Sequence, residues 1–288
     1  MTHVLVIHGV WHEAIEPGAA LDQWIRHAQA GIGALDHVPP PETAFVLGFY
    51  GDILPETDPL AGFLARHTLS HRHSDDRPSP PREPLPFLTG PRPTIGAIAQ
   101  AIDQRTDIGD LISHHLFDSV ARYLTFGAER DAIVARIVDQ IRAMNDTIVI
   151  AAHSLGSIVA YDLLRSSPEA QQSVSGLITF GSPLWLSSAR EQIKLHFGDT
   201  AFPEMLPRWI NVYDPDDPVA GDINLASLFP AADGRMVEDH RLPLTNGLGF
   251  RPRDPHDPFA YAGSPAFARA LHSLLAHADT PRGGSRNG

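Results

Sequence analysis

The sequence predicts an α/β fold: a mostly parallel sheet of about six strands flanked by helices. Three observations predict it. Short apolar runs rich in β-branched residues, such as His3–Ile7, Ile148–Ile150 and Gly176–Phe180, alternate with longer stretches whose apolar residues recur at three- and four-residue steps. The runs are apolar along their length, as strands covered on both faces are. Turn-forming or chemically active residues follow several of them: His8-Gly9-Val10, Ser154, Gly181-Ser182 and the acidic loop after Tyr213. In open parallel sheets, ligands sit beyond the carboxyl ends of the strands, where these residues would lie.

Taken in order, His3–Ile7 is the first strand. Ala19–Ala30 follows as an amphipathic helix with Leu21, Trp24, Ile25 and Ala28 on one face. Thr43–Tyr50 reads as a second buried strand, closed by Gly51-Asp52. Glu129–Met144 carries the helical stripe Ile133, Val134, Ile137, Val138 and Ile141. The run Ile148–Ile150, turning small at Ala151 and Ala152, supplies the third strand and Gly176–Phe180 the fourth. Arg208–Tyr213 and Met236–Leu242 make the fifth and sixth. Ser264–Ala276 forms the last helix, with Phe267, Ala270, Leu271 and Leu274 inward.

The stretch from 53 to 127 is far longer than a strand crossover needs. Arg77–Pro93 is proline-rich and reads as an extended loop. Ile108, Leu111, Ile112, Leu116, Phe117, Val120 and Leu124 then mark an amphipathic helix near Asp107–Phe126. The expected organisation is a core of residues 1–52 and 128–279, a lid or cap insertion at 53–127, and a disordered tail at 280–288.

The chain is organised around Thr147–Ala160, TIVIAAHSLGSIVA. Strand residues give way at Ala152-His153-Ser154-Leu155-Gly156 to a helix marked by Ile158, Val159, Leu163 and Leu164. A serine on so tight a turn is held in a strained backbone, with its hydroxyl expected in the open. Ala152 and Gly156 supply the small residues that a close strand–helix approach demands. The helix start aims amide N–H groups at the site, which suits a developing oxyanion.

This constellation resembles the nucleophile elbow of the α/β-hydrolase superfamily, with Ala152 in place of the first glycine of Gly-x-Ser-x-Gly. The resemblance covers the layout of nearly the whole chain but only short motifs of its sequence. It implies a lipase- or esterase-like serine hydrolase with Ser154 as nucleophile. It also implies an oxyanion hole from the amides of Val10, in the His-Gly-x loop after the first strand, and Leu155. His8 is expected to support that loop, and His153 to pack beneath the elbow. The acid follows a later strand and the base follows the acid. Asp214, Asp216 and Asp217 compete as the acid; the Asp-Pro-Val turn at Asp217 resembles the acid-bearing turn of lipase-like members and favours Asp217, with Asp214 next. His256, in a loop before the final helix, is the expected base; His240 falls inside a strand. Trp11, Leu184 and Trp185 are expected to bind substrate. The chain departs from the family in lacking the usual initial antiparallel strands and in the length and placement of its insertion.

Acids outnumber bases 34 to 22, a net charge of −12, which disfavours nucleic acid and anionic membranes as partners. No apolar run is long enough for stable membrane insertion. There are no cysteines, so disulfides, thiolate metal sites and a cysteine nucleophile are excluded. His67, His71, His73, His114 and His115 lack the acidic residues and spacing of a ligand set, so no metal is expected. Met1-Thr2-His3 has no basic n-region, and the expected compartment is the cytoplasm. The expected partner is a small acyl ester, apolar because the lid is apolar. No cofactor is needed, and the residues specify no oligomeric state. Acyltransferase, thioesterase or amidase chemistry would use the same three residues; a non-catalytic binding protein would not need them.

Overall fold

A computed structural model describes residues 2–9, 16–35, 43–54, 119–125, 127–242 and 255–278. Val10, Trp11, the five histidines between 67 and 115, the proline-rich loop, most of the insertion and the tail lie outside the described residues.

Among the described residues, six strands form one parallel sheet in the order β2-β1-β3-β4-β5-β6. They are β1 (Thr2–Ile7), β2 (Thr43–Gly48), β3 (Thr147–His153), β4 (Val174–Phe180), β5 (Trp209–Tyr213) and β6 (Glu238–Arg241). Seven α-helices with both ends defined join or flank them among the described residues: α1 (Pro17–Gly33), α2 (Ala128–Met144), α3 (Leu155–Ser166), α4 (Pro168–Ser173), α5 (Ser187–Phe197), α6 (Pro258–Ala262) and α7 (Pro265–Ala278). Residues 119–123 are also helical. No described helix is long and apolar enough to cross a membrane.

The alternation of side chains along each strand divides the core in two. Val4, Val6, Val149, Ala151, Ile210 and Val212 face α1, α6 and α7. Leu5, Ile7, Ile148, Ile150 and Trp209 face α2, α3, α4 and α5. All these strand residues are essentially inaccessible to water. Each buried valine, leucine or isoleucine among them contributes about 1.5–3 kcal/mol, which is why the central strands need no polar face.

Three expectations shift. β2 lies at the edge of the described sheet, where among the described residues nothing pairs with its outer side, and its first four residues are half-buried, unlike most of β1 and β3. The inward face of α1 runs through Ala20, Trp24, Ala28 and Ile32, whereas Leu21 and Ile25 sit at its margin. Short elements had no periodic signal to betray them. α4 starts at Pro168 with the Ser167 hydroxyl accepting from the Ala170 amide, and α6 starts at Pro258 with Asp257 accepting from the Phe259 amide. These are capping signals, legible in hindsight from Ser-Pro and Asp-Pro.

The strand ends are level where it matters. Ile7 lies beside Ala152, His153 beside Phe180, and Phe180 beside Val212. Residues leaving β1, β3, β4 and β5 therefore emerge on one carboxyl edge. The chain winds outward in both directions from β1 and β3, so that pair is the point where the strand order reverses. A crevice opens outside the sheet at such a point.

Candidate active site

Ser154 is the hinge between β3 and α3. Its backbone has φ 54° and ψ −128°, a left-handed conformation that a side chain makes costly by about 1–3 kcal/mol. The surroundings hold it there. Its amide donates to the Phe180 carbonyl at 3.1 Å, and its carbonyl accepts from the Ser157 amide at 2.9 Å. The Ser157 hydroxyl also donates to that carbonyl and meets the Ser182 hydroxyl at 2.7 Å. Ser154 occupies the N-cap position of α3, yet its hydroxyl does not cap the helix. It lies 3.0 Å from His256 Nε2 instead.

His256 turns its other nitrogen to Asp217, with Nδ1 2.9 Å from Oδ2. Asp217 is completely buried and His256 is 4% exposed. Asp217 Oδ1 accepts from the Val219 amide at 2.8 Å, and Oδ2 accepts a second bond, from the Tyr261 hydroxyl at 2.9 Å. A carboxylate so enclosed needs these donors to offset its lost hydration. With Asp217 accepting, Nδ1 carries the imidazole proton, and Nε2 is left to accept from Ser154.

The structure thus brings Ser154, His256 and Asp217 together, in line, from three separate parts of the chain. It does not bring Asp214 or His240 to them in the same way. Asp214 Oδ1 accepts from the Asp216 amide at 2.9 Å, a local turn bond. His240 lies within β6, opposite Val212.

The serine hydroxyl is not in the open: Ser154 is fully buried. Gly9 is one reason. A Cβ on Gly9 would come 2.8 Å from Ser154 Cβ and 3.3 Å from its Oγ. Glycine is required at 9 for space against the serine, and its φ lies outside the left-handed region. Gly156 likewise packs on backbone carbonyls of Ile7 and His8, so its small size serves a close approach between α3 and the end of β1, the neighbouring strand. Gly181 needs both freedoms. It has φ 55°, and a Cβ there would press on His153 Nε2 at 2.9 Å and His256 Cε1 at 3.1 Å.

The two accessory histidines differ. His8 is fully buried and stacked on Tyr50 at 4.3 Å. The Tyr50 amide donates to its Nε2 at 3.2 Å, so its Nδ1 carries the proton and donates to the Gly9 carbonyl. Burial lowers its pKa to about 4, keeping it neutral. It ties β1 and the Gly9 loop to the segment after β2. His153 is buried with its ring 4.6 Å from that of His256 and 5.2 Å from Phe180.

Leu155 is the first residue of α3, so its amide has no acceptor within the helix. Leu184 is buried in the core beneath the loop after β4. Trp185 is half-buried and donates from Nε1 to the Val219 carbonyl at 2.6 Å, bracing the loop that carries Asp217. Among the described residues, no three His, Cys, Asp or Glu side chains are grouped so as to hold a metal ion.

Two contributors escaped the sequence reading. Tyr261 sits five residues past His256 in HDPFAYAG, where its spacing gives no hint that it reaches Asp217. The buried Arg130–Asp162 ion pair, with Tyr123 donating to Asp162 at 2.7 Å, anchors α2 and the end of the insertion to the elbow helix α3. A charged residue within the apolar stripe of a helix, as Asp162 is in α3, is the signal that could have found it.

No protein-family model matches this chain, and no curated protein matches its sequence.

Proposed function

We propose that the protein is a serine hydrolase of the α/β-hydrolase type that cleaves carboxylic esters through an acyl-enzyme on Ser154. One observation carries the reading: a serine in a strained strand-to-helix turn, bonded at 3.0 Å to a histidine that is bonded at 2.9 Å to a buried aspartate. A serine hydroxyl is a weak nucleophile at neutral pH, and this relay is the arrangement that activates it. The position of the turn at the reversal of strand order supports the same reading.

In this mechanism His256 Nε2 takes the Ser154 proton as Oγ bonds to the acyl carbon. The carbonyl electron pair moves onto oxygen, to be held by the amide of Leu155 and by that of Val10, the second donor that the family resemblance implies. The carbonyl re-forms, the carbon–oxygen bond to the alcohol breaks, and His256 returns the proton to the leaving oxygen. Water, deprotonated by the same imidazole, then releases the acid and frees Ser154. Asp217 keeps the proton on Nδ1 and stabilises the imidazolium. The apolar stripe of the insertion favours an apolar ester.

The test is covalent. A fluorophosphonate probe should label the intact protein at Ser154, and p-nitrophenyl esters of graded chain length should be hydrolysed. Ser154→Ala should abolish both. Labelling that survives Ser154→Ala, or a folded protein that is neither labelled nor active on any ester, would overturn the proposal.

A further inference from the structure

We infer that Tyr261 is a positioning residue for the proposed reaction, its hydroxyl bridging the Asp214 amide and Asp217 Oδ2 and so setting how firmly Asp217 holds and charges His256. The inference rests on the serine-hydrolase reading and adds a fourth residue to its relay.

The hydrogen-bond directions leave no alternative for the phenol proton. The Asp214 amide donates to the Tyr261 oxygen at 2.9 Å, so that oxygen is an acceptor there. The one remaining proton points to Asp217 Oδ2, 2.9 Å away. Burial, and then the charge of Asp217, push the phenol pKa well above its usual value, so Tyr261 stays a donor wherever the enzyme works.

The oxygen it reaches is the one that His256 uses. Asp217 Oδ2 therefore divides its charge between an imidazole and a phenol, while Oδ1 is occupied by the Val219 amide. Tyr261 is rigidly placed. Its ring packs on Phe180 at 5.8 Å, and its amide is bonded to the Asp257 carbonyl at 3.2 Å. α6, which carries it, starts directly after His256-Asp257 and rests on α1, where a Cβ on Gly31 would meet the Ala262 carbonyl at 3.1 Å. One short helix thus fixes the base at its entry and grips the acid from its last turn.

Two consequences separate this role from plain packing. Without the phenol, the imidazole loses part of what fixes its orientation, so reaction slows. The carboxylate charge also falls more fully on His256, which favours the imidazolium, so the proton that blocks reaction leaves at higher pH. Other ionisable groups near this pair include His153, whose ring lies tilted 4.6 Å from that of His256; Asp257, whose carboxylate accepts from the Phe259 amide; Asp214, whose carboxylate accepts from the Asp216 amide; and Asp216 itself, next to Asp217 in the chain. None donates to Asp217 in place of Tyr261.

The experiment reads the second-order rate of Ser154 labelling by a fluorophosphonate from about pH 5 to about pH 9, a span that brackets imidazole titration. Tyr261→Phe should lower the plateau rate about three- to tenfold and move the acid limb up by about half a pH unit, the size of one hydrogen bond's worth of differential stabilisation. Replacing Tyr261 alone with 3-fluorotyrosine, a stronger donor of the same shape, should move the limb down. A Tyr261→Phe profile that matches the wild type, whatever its melting temperature, overturns the inference, as do two limbs that move the same way. If Tyr261→Phe does not fold, the fluorinated protein decides: a downward shift supports the role, and no shift or an upward one overturns it. A wild type labelled at Ser154 with unresponsive variants sinks only Tyr261; a folded wild type that is not labelled sinks the hydrolase reading with it.

Discussion

Gly156 lies hard against the end of β1: a Cβ at this position would come 2.3 Å from the Ile7 carbonyl oxygen and 2.6 Å from that of His8. Both obstacles are backbone, so neither can swing aside. Gly156→Ala should push α3 off β1, lower stability by about 1–3 kcal/mol or more, and misplace Ser154. Thermal unfolding and fluorophosphonate labelling should both register it. Gly33→Ala is the control, since a Cβ there meets nothing within 4 Å. It should leave labelling intact.

The aspartates of the loop after β5 should separate cleanly. Asp217→Asn keeps the shape but disturbs the tautomer of His256, and should cut ester hydrolysis by about four orders of magnitude. Asp214→Asn preserves the oxygen that accepts from the Asp216 amide, and should stay within about tenfold of the wild type. The corresponding pair of bases is His256→Ala and His240→Ala. Steady-state rates should fall by several orders of magnitude for the first and little for the second. The reverse result in either pair would reassign that member of the relay.

Acid should weaken the fold before the carboxylates titrate. His8 has its pKa lowered from 6.5 to about 4 by burial, offset in part by its bond to Gly9. The unfolded chain therefore binds more protons in this window, and stability falls with falling pH. The contribution is fully present above pH 6.5 and is lost progressively as pH drops through that value to about 4. Its full size is about 3 kcal/mol. Urea unfolding at stepped pH should show this slope in the wild type. His8→Asn, less stable at neutral pH, should show a flatter one; an equal slope would assign the acid sensitivity elsewhere.

The buried pair of Arg130 and Asp162 should behave as a unit. Both side chains are nearly inaccessible, at 11% and 2% exposure, and Tyr123 bonds to the same carboxylate. Asp162→Ala takes from the Arg130 guanidinium its buried partner and leaves it the exposed Asp131 carboxylate at 2.9 Å, and should cost about 3 kcal/mol in urea unfolding. Adding Arg130→Met should recover part of that loss, because the buried charge is gone while the buried Tyr123 hydroxyl still lacks the acceptor that Asp162 gave it. A double variant as unstable as the single would mean that packing, and not charge, sets the cost.

Much of this architecture was readable in the residues. The runs in β1, β3 and β4 are apolar on both faces because both faces are covered, and that alone distinguishes them from the half-polar strands of an exposed sheet. β2 misled because TAFVLGFY is just as apolar while lying at an edge. Position within a sheet is set by pairing, which composition does not encode.

The site divides in the same way. Sequence alone determined Ser154 as the candidate nucleophile, because its turn, its small neighbours and its flanking strand and helix are all local. It narrowed the acid to one loop and the base to a favoured histidine by chain order. Only the tertiary structure shows Asp217 bonded to His256, Gly9 packed against Ser154 and Tyr261 bonded to Asp217. Ser154 and His256 are bonded across 102 positions of sequence, and Asp217 and Tyr261 across 44. Contacts of that range depend on how β1, β3, β4 and β5 stack side by side, and hydrogen bonds tolerate errors of only a few tenths of an ångström. Local propensity places the turns; the register of the sheet places the atoms.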